Sequence, residues 1–546
     1  MKRDLNNLAE TTYDLLIIGG GINGACAAWD AALRGLSVVL IDKGDFGAAT
    51  SANSLKIIHG GLRYLQNADF RRMRQSIRER RIFMRMAPHL VHPFPCLMPT
   101  YGHFMHGKEL LSLALMINDL VGFDRNCLED PQKYIPRGRV VSKKECLRLI
   151  PGFDVRNLTG GAIWYDCQMY NSERLTLSLL LSADKAGASV ANYVEVKGFL
   201  KNGNQVTGVR ARDRLTEEEL DLRAKIVLNT TGPWINRVLS LLDGSHKDKM
   251  PLSKAINLVT RPIVEEYAVG MPSKDSRLFF ITPWRNHSLI GTSYLPYHGA
   301  PDDFKVTEED ILCFIDQINE AYPAVALKRE DVSFFHGGLL PMAGDNSNTG
   351  DVALAKHYRI YDHKKGDGID GLVSVMGVKY TESRHIAQKA VDLIFKKLGK
   401  KLPMCITAVT PVHGGRINRF EEFMRQEIKN KPYGLTEEIV RHLVYSYGSE
   451  CHRVLKYVNE NPDWGQTVPN SSEVLEAEVV HGVREEMAQK LSDVIFRRTD
   501  LGSAGNPGEE CLKTSAAIMA AELGWDRAKV QREIKEVKTV FSTGLQ

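Results

Sequence analysis

Two short, unbroken apolar runs, Leu15–Ile18 and Val38–Ile41, flank a stretch in which apolar residues recur at helical spacing, "ACAAWDAALRG". Runs of this kind read as buried parallel strands, and the stretch between them reads as a helix that stops at Gly35. The same alternation returns between 160 and 235, as strand, helix and strand, ending in the apolar "KIVLNTTGPW" with a turn over Asn229–Gly232. Residues 252–345 change character: they are strand-rich and aromatic, which predicts an antiparallel sheet. "KHYRIYDHKKGDGIDG" predicts a loop or hairpin before the strand "LVSVMG". From about 404 onward the apolar residues take the spacing of amphipathic helices, including one long pattern over "EVLEAEVVHGVREEMAQKLSDVIFRRT". The chain therefore divides into a larger unit, 1–403, and a helical unit, 404–546, read as a cap or interaction domain.

Two other helical stretches carry alternatives. "FRRMRQSIRERRIFMRM" puts seven arginines into one helix, and "LLSLALMINDLVGF" is strongly apolar. The plain expectation is a solvated basic face and a buried helix. The sharper one is docking on anionic lipid near a quinone pool.

Composition narrows the classes. The 546 residues carry 71 basic against 66 acidic side chains, too balanced for a nucleic-acid binder. Nine cysteines without CxxC pairs suggest neither a metal site nor a disulfide framework, hence a reducing, cytoplasmic environment. The start, "MKRDLNNLAE", lacks the apolar segment of a signal peptide, and no run reaches the roughly 18 apolar residues of a membrane span. Both are expectations for a protein that is soluble or lies on a membrane surface; a homodimer stays open.

The chemistry starts between the first two strands. Gly19, Gly21 and Gly24 stand in G-x-G-x-x-G spacing, directly after one strand and at the start of the helix. The first glycine suits a tight turn, the second the close approach of backbone to a pyrophosphate, and the third the packing of helix on strand. Asp42 ends the second strand, where an acid accepts hydrogen bonds from a ribose. Strand, glycines, helix, strand and acid in that order predict a dinucleotide site, and several hundred following residues suit FAD better than NAD.

Downstream, "SLKIIHGGLRYL" sets His59, Gly60, Gly61, Arg63 and Tyr64 close together. Together with "GGGINGACAAWDAALRGLSVVLIDKGDFGAATSAN", "VLNTTGPWINRV", "FITPWRNHSLIGTS", "SVMGVKYTESRHIAQKAVDLI" and the C-terminal helical segments, it resembles the FAD-dependent glycerol-3-phosphate dehydrogenases and α-glycerophosphate oxidases along nearly the whole chain. The resemblance implies an α/β fold with a Rossmann-like FAD-binding domain (about 10–110, 155–240 and 345–400), an antiparallel substrate domain of the D-amino-acid-oxidase type (about 241–344) and a C-terminal helical domain. It implies FAD contacts from Gly19, Gly21, Ile22, Asn23, Gly24, Asp42, Lys43, Thr50, Ser51, Ser54, His59, Gly60, Gly61, Val194, Thr230, Gly232, Trp234, Gly377, Lys379, Tyr380 and Thr381. His59, Arg63 and Lys379 become the candidate catalytic residues, and Tyr64, Lys356, Asn257 and Tyr294 the candidate substrate contacts. On residue type alone, Arg63 and Tyr64 could equally cap and pack a helix.

The implied reaction is oxidation of sn-glycerol 3-phosphate or a similar small polyol phosphate to the ketone, dihydroxyacetone phosphate for the former, with electrons passed to a quinone, another carrier or oxygen. The family's respiratory members are peripheral membrane proteins, which would place this chain on the cytoplasmic face of the inner membrane. Four segments depart from the family pattern: "GLLP" puts Leu340 where an arginine is usual, "KAIN" puts Asn257 for a histidine, "GTSY" puts Tyr294 for an aspartate, and "GVK" keeps Lys379. Lys356, Lys379, Arg63 and Arg285 remain to hold an anion. These changes predict a substrate other than glycerol 3-phosphate; a flavin-binding protein without turnover is the third reading.

Overall fold

The computed structural model describes residues 1–102, 107–242, 250–272, 278–343, 354–377 and 379–542. Val378 of "GVK", and the expected junction of substrate and FAD segments at 344–345, lie outside the described residues.

One sheet has eight strands. Its central strand, Thr12–Ile18, pairs in parallel with Val38–Ile41 on one side and Glu219–Asn229 on the other. Leu372–Met376 and Ser189–Ala191 extend it in parallel, and Arg359–Asp362 closes one edge as the antiparallel arm of the expected hairpin. Leu15, Leu16 and Ile17 are fully buried, as expected where helices cover both faces of a parallel sheet. Helix Ile22–Leu33 leaves the glycine turn and stops at Gly35, whose φ of 84° suits glycine. Trp29 and a row of alanines on it are buried among helices Ser172–Lys185 and Ser383–Lys397.

The second sheet has nine strands and is antiparallel except where Ala268–Pro272 runs parallel to Val91–Tyr101. It is wider than the sequence suggests. Ile57–Ile58, Val91–Tyr101, Arg139–Ser142 and Leu158–Met169 all belong to it, although most of these lie in segments expected in the FAD-binding domain. An apolar strand run does not encode which sheet it will join; that is settled by pairing partners far away in the chain.

Three local expectations change. The long helical pattern near 475–499 breaks after helix Glu476–Arg484, because Met487 takes φ 58° and Glu486 turns inward to pair with Arg174 at 2.7 Å. Helix Phe70–Met86 forms, capped by Asp69, but only part of its basic face is solvated: Arg71 and Arg78 are exposed. Arg72, Arg74, Arg80 and Arg81 are spent on Glu382, Asp124, Asp166 and Asp124 within the chain. Helix Lys108–Val121, expected to be buried, has only Leu115 buried, and Leu113, Met116 and Leu120 are exposed. Among the described residues no helix is long and apolar enough to cross a membrane.

Candidate functional site

A cavity of about 1900 Å³ lies between the two sheets and is lined from both. That is larger than a typical pocket for one small ligand, roughly 300–1,000 Å³.

Its first wall is the glycine turn. Gly19 has φ 105°, and a Cβ on it would sit 2.9 Å from the Thr230 carbonyl. A Cβ on Gly24 would collide with the Gly19 carbonyl, so Gly24 stands behind the wall and lets the helix close on the strand. Gly21 is different: a Cβ there meets only Ser51 Oγ, at 3.2 Å, and otherwise points into the cavity. The helix starting at Ile22 therefore presents its amide end to open space, where its dipole favours an anion. Asp42 accepts from the amides of Gly20 at 2.6 Å and Gly44 at 2.8 Å, which fix its carboxylate beside that space. Burial raises the Asp42 carboxyl to about 6 against those two donors.

Ile22, Asn23, Lys43, Thr50, Ser51, Ser54, Gly61, Val194, Thr230, Gly232, Trp234, Gly377, Tyr380 and Thr381 also line the cavity. Gly60 does not; a Cβ on it would crowd the Arg80 guanidinium, so its smallness serves packing behind the wall.

The far wall joins residues remote in sequence. His59 is half-buried, its amide donates to Thr381 Oγ1 at 3.2 Å, and its buried Nε2 has no partner among the described residues. Burial, then the charges of Lys379, Arg72 and Arg80, hold the imidazole well below its usual pKa, so it is a neutral ring with a spare nitrogen. Lys379 Nζ donates to Tyr64 Oη at 2.7 Å, and Arg72 lies on the Tyr64 ring at 4.5 Å. Burial, followed by the Arg72 charge, lowers the Lys379 ammonium to about 7. Arg63 reaches the same cavity, exposed and without an ion pair among the described residues. Tyr64 is more than a helix-packing residue, because it positions Lys379.

Other candidates sit elsewhere or act otherwise. Lys356 is exposed and does not line the cavity. Arg285 points away to the helical domain, pairing with Asp500 at 3.0 Å, so it is not an anion ligand of the site. Asn257, Tyr294 and Leu340 come together on neighbouring strands and do line the cavity. The Asn257 amide, though, is spent inside the wall, accepting from Thr292 Oγ1 at 2.8 Å and donating to Asn53. Asp166, which sequence reasoning missed, lines the cavity and accepts from the Gly60 amide, Trp164 Nε1 and Arg80. Its partners lie 86 to 106 positions away for Arg80 and Gly60, so no spacing could reveal it.

A model of FAD-dependent oxidoreductases matches residues 14–377, and one of the C-terminal domain of alpha-glycerophosphate oxidase matches 405–530. A glycerol-3-phosphate dehydrogenase of Synechocystis is 33% identical over 98% of this chain and 97% of its own length. The chain belongs to the family of FAD-dependent glycerol-3-phosphate dehydrogenases. The aerobic glycerol-3-phosphate dehydrogenase of Staphylococcus aureus is 30% identical, covering 97% of this chain and 95% of that one. The structure is similar to the glycerol-3-phosphate dehydrogenase from Bacillus halodurans complexed with FAD, with TM-score 0.78, 26% identity and coverage of 99% and 97%.

The residues present fit FAD. The glycine cradle is open at Gly21, and two buried polar atoms without partners, Asn23 Oδ1 and His59 Nε2, belong to residues that line the cavity. The cradle yields a paired test. Gly21→Val should fold but purify with less than about a tenth of its FAD, because the side chain fills only ligand space; Gly24→Ala should lose more than about 2 kcal/mol of stability through overpacking. Flavin absorbance per protein and thermal melting of the apoproteins measure both, and full FAD retention by Gly21→Val overturns the placement.

Proposed function

We propose that this protein oxidises sn-glycerol 3-phosphate at its secondary alcohol to dihydroxyacetone phosphate and delivers the electrons to a membrane quinone. The carrying observation is that the cavity holding the glycine cradle also gathers a neutral His59 with an open Nε2 and two cations, Arg63 and Lys379. FAD, when bound, supplies the acceptor for the hydride leaving the alcohol carbon. His59 Nε2 takes the hydroxyl proton, and being neutral it is ready to do so at ordinary pH. Arg63 offers a donor fork to the phosphate, and Lys379 a point charge oriented by Tyr64.

The departures at Leu340, Asn257 and Tyr294 predicted a different alcohol, and that expectation is not favoured: the relatives named above are glycerol-3-phosphate dehydrogenases by name. There is a physical reason why the changes need not alter substrate. Leu340 removes a positive charge and Tyr294 removes a negative one within reach of Arg63, so the anion-attracting field is kept. Asn257 serves the wall.

The quinone proposal rests on the cavity's apolar lobe. Met98, Leu110, Leu111, Ala114 and Phe280 line it, and Leu62, adjoining Arg63, packs into the same cluster. Leu110 stands at the boundary between this lobe and the exposed apolar side of helix Lys108–Val121, at 41% exposure. That continuity fits an apolar acceptor entering from a lipid surface.

Anaerobic flavin bleaching tests the reaction. sn-Glycerol 3-phosphate should bleach the flavin faster than tetritol phosphates, pentitol phosphates or hydroxy acids, and Arg63→Ala should weaken its binding ~10–100-fold with FAD retained. A faster rival from that panel, or equal loss of flavin in the variant, would sink the assignment.

Lys379 adds a pH dependence. Its charged, phosphate-binding form fills below about 7 and empties above it. kcat/KM should therefore fall as pH rises through that value, and Lys379→Arg should remove the fall, since a guanidinium stays charged. An identical profile in the variant excludes Lys379 as the titrating group.

For the acceptor, Leu113→Ser with Leu120→Ser should reduce co-flotation with anionic vesicles and lower turnover with a long-tailed quinone, while turnover with a soluble dye acceptor holds. Unchanged flotation and quinone turnover would exclude this face.

A further inference from the structure

The helical domain reaches the cofactor cavity through one carboxylate. Asp45 lines the cavity three residues after Asp42, and is 3% exposed. Arg498 grips it with a fork, Nη1 to Oδ2 at 2.6 Å and Nη2 to Oδ1 at 2.7 Å. Arg497 Nε adds a third bond at 2.5 Å, and Asn192 Nδ2 a fourth at 3.0 Å. The two guanidiniums come from more than 450 positions away. They are themselves anchored: Arg498 Nε on the Glu486 carbonyl at 3.0 Å, and Arg497 Nη2 on Asp493 at 2.8 Å.

The loop that carries Asp45 is bonded to the cofactor machinery on both sides. The Gly47 amide donates to the Gly20 carbonyl at 3.0 Å, and the Gly44 amide donates to Asp42 at 2.8 Å. Burial opposes ionisation of Asp45, yet the charges of Arg498 and Arg497 outweigh it and hold the carboxyl ionised. Without Arg498, Asp45 keeps only Arg497 and Asn192 as partners, so a buried, under-compensated carboxylate is left lining the cavity and the loop is held less firmly.

We infer that Arg497 and Arg498 are positioning residues for FAD: through Asp45 they fix the loop 42–47 against the glycine turn and cancel a negative charge in the cavity wall. The helical domain is then part of the cofactor site rather than an appendage. This goes beyond the substrate assignment and does not depend on it.

The test is FAD affinity of the full chain, by fluorescence titration of the apoprotein, alongside apoprotein melting. Arg498→Ala should raise the Kd for FAD at least tenfold. Adding Asp45→Asn to it, which removes the stranded charge, should recover most of that loss, and Arg498→Lys should fall between. A merely structural arginine would show loss and rescue in apoprotein melting alone, with the Kd for FAD unchanged. Wild-type affinity in Arg498→Ala, or equal loss in the single and double variants, overturns the inference. If Arg498→Ala does not fold, Arg497→Ala with and without Asp45→Asn gives the same comparison, and absence of rescue there is equally decisive.

Discussion

The Gly19 carbonyl occupies the place where a side chain on residue 24 would stand, and the rest of the site is arranged around that contact. It lets helix Ile22–Leu33 begin directly over the end of strand Thr12–Ile18, with Thr230 Oγ1 tying down the carbonyls of Ile18 and Gly19 at 2.9 and 3.0 Å. Amide donors then face a cavity rather than a packed core, and the parallel sheet ends at the mouth of that cavity. This is the general placement of ligands at the carboxyl ends of strands in open α/β sheets. The second sheet supplies the opposite wall, so the two chemistries, holding a dinucleotide and holding a small anion, meet in one enclosed space.

Charge is distributed by the same economy of space. Buried charges are costly unless paired, and the chain pairs them across long sequence distances. Arg384 with Glu79, Arg174 with Glu486, and Lys56 with Glu173 lock helices and loops around the cavity. Arg285 and Asn171 reach Asp500, and Arg498 reaches out to Asp45, so the segment 498–500 joins the substrate sheet, the FAD-binding part and the helical domain. Against this background, His59 keeps a ring nitrogen without a partner and Arg63 a guanidinium without an ion pair among the described residues, both on the cavity wall.

Chemistry that depends on neighbours along the chain is legible in the order of residues. The glycines, the helix they start and the acid ending the next strand are a short-range unit, and every one of those elements stands where its spacing put it. His59, Arg63 and Tyr64 were legible for the same reason, as a compact motif with a family likeness. Folding settled what brings distant segments together. It put Leu158–Met169 in the second sheet, paired four arginines of helix Phe70–Met86 with carboxylates of the chain, left Lys356 outside the cavity and turned Arg285 toward Asp500. It also seated Asp166 under Gly60 and clamped Asp45 from the far end of the chain. Hydrophobic period and residue type fix which face of an element is buried, but a charge finds its partner only after the chain has folded, because pairing depends on distance in space and not along the sequence.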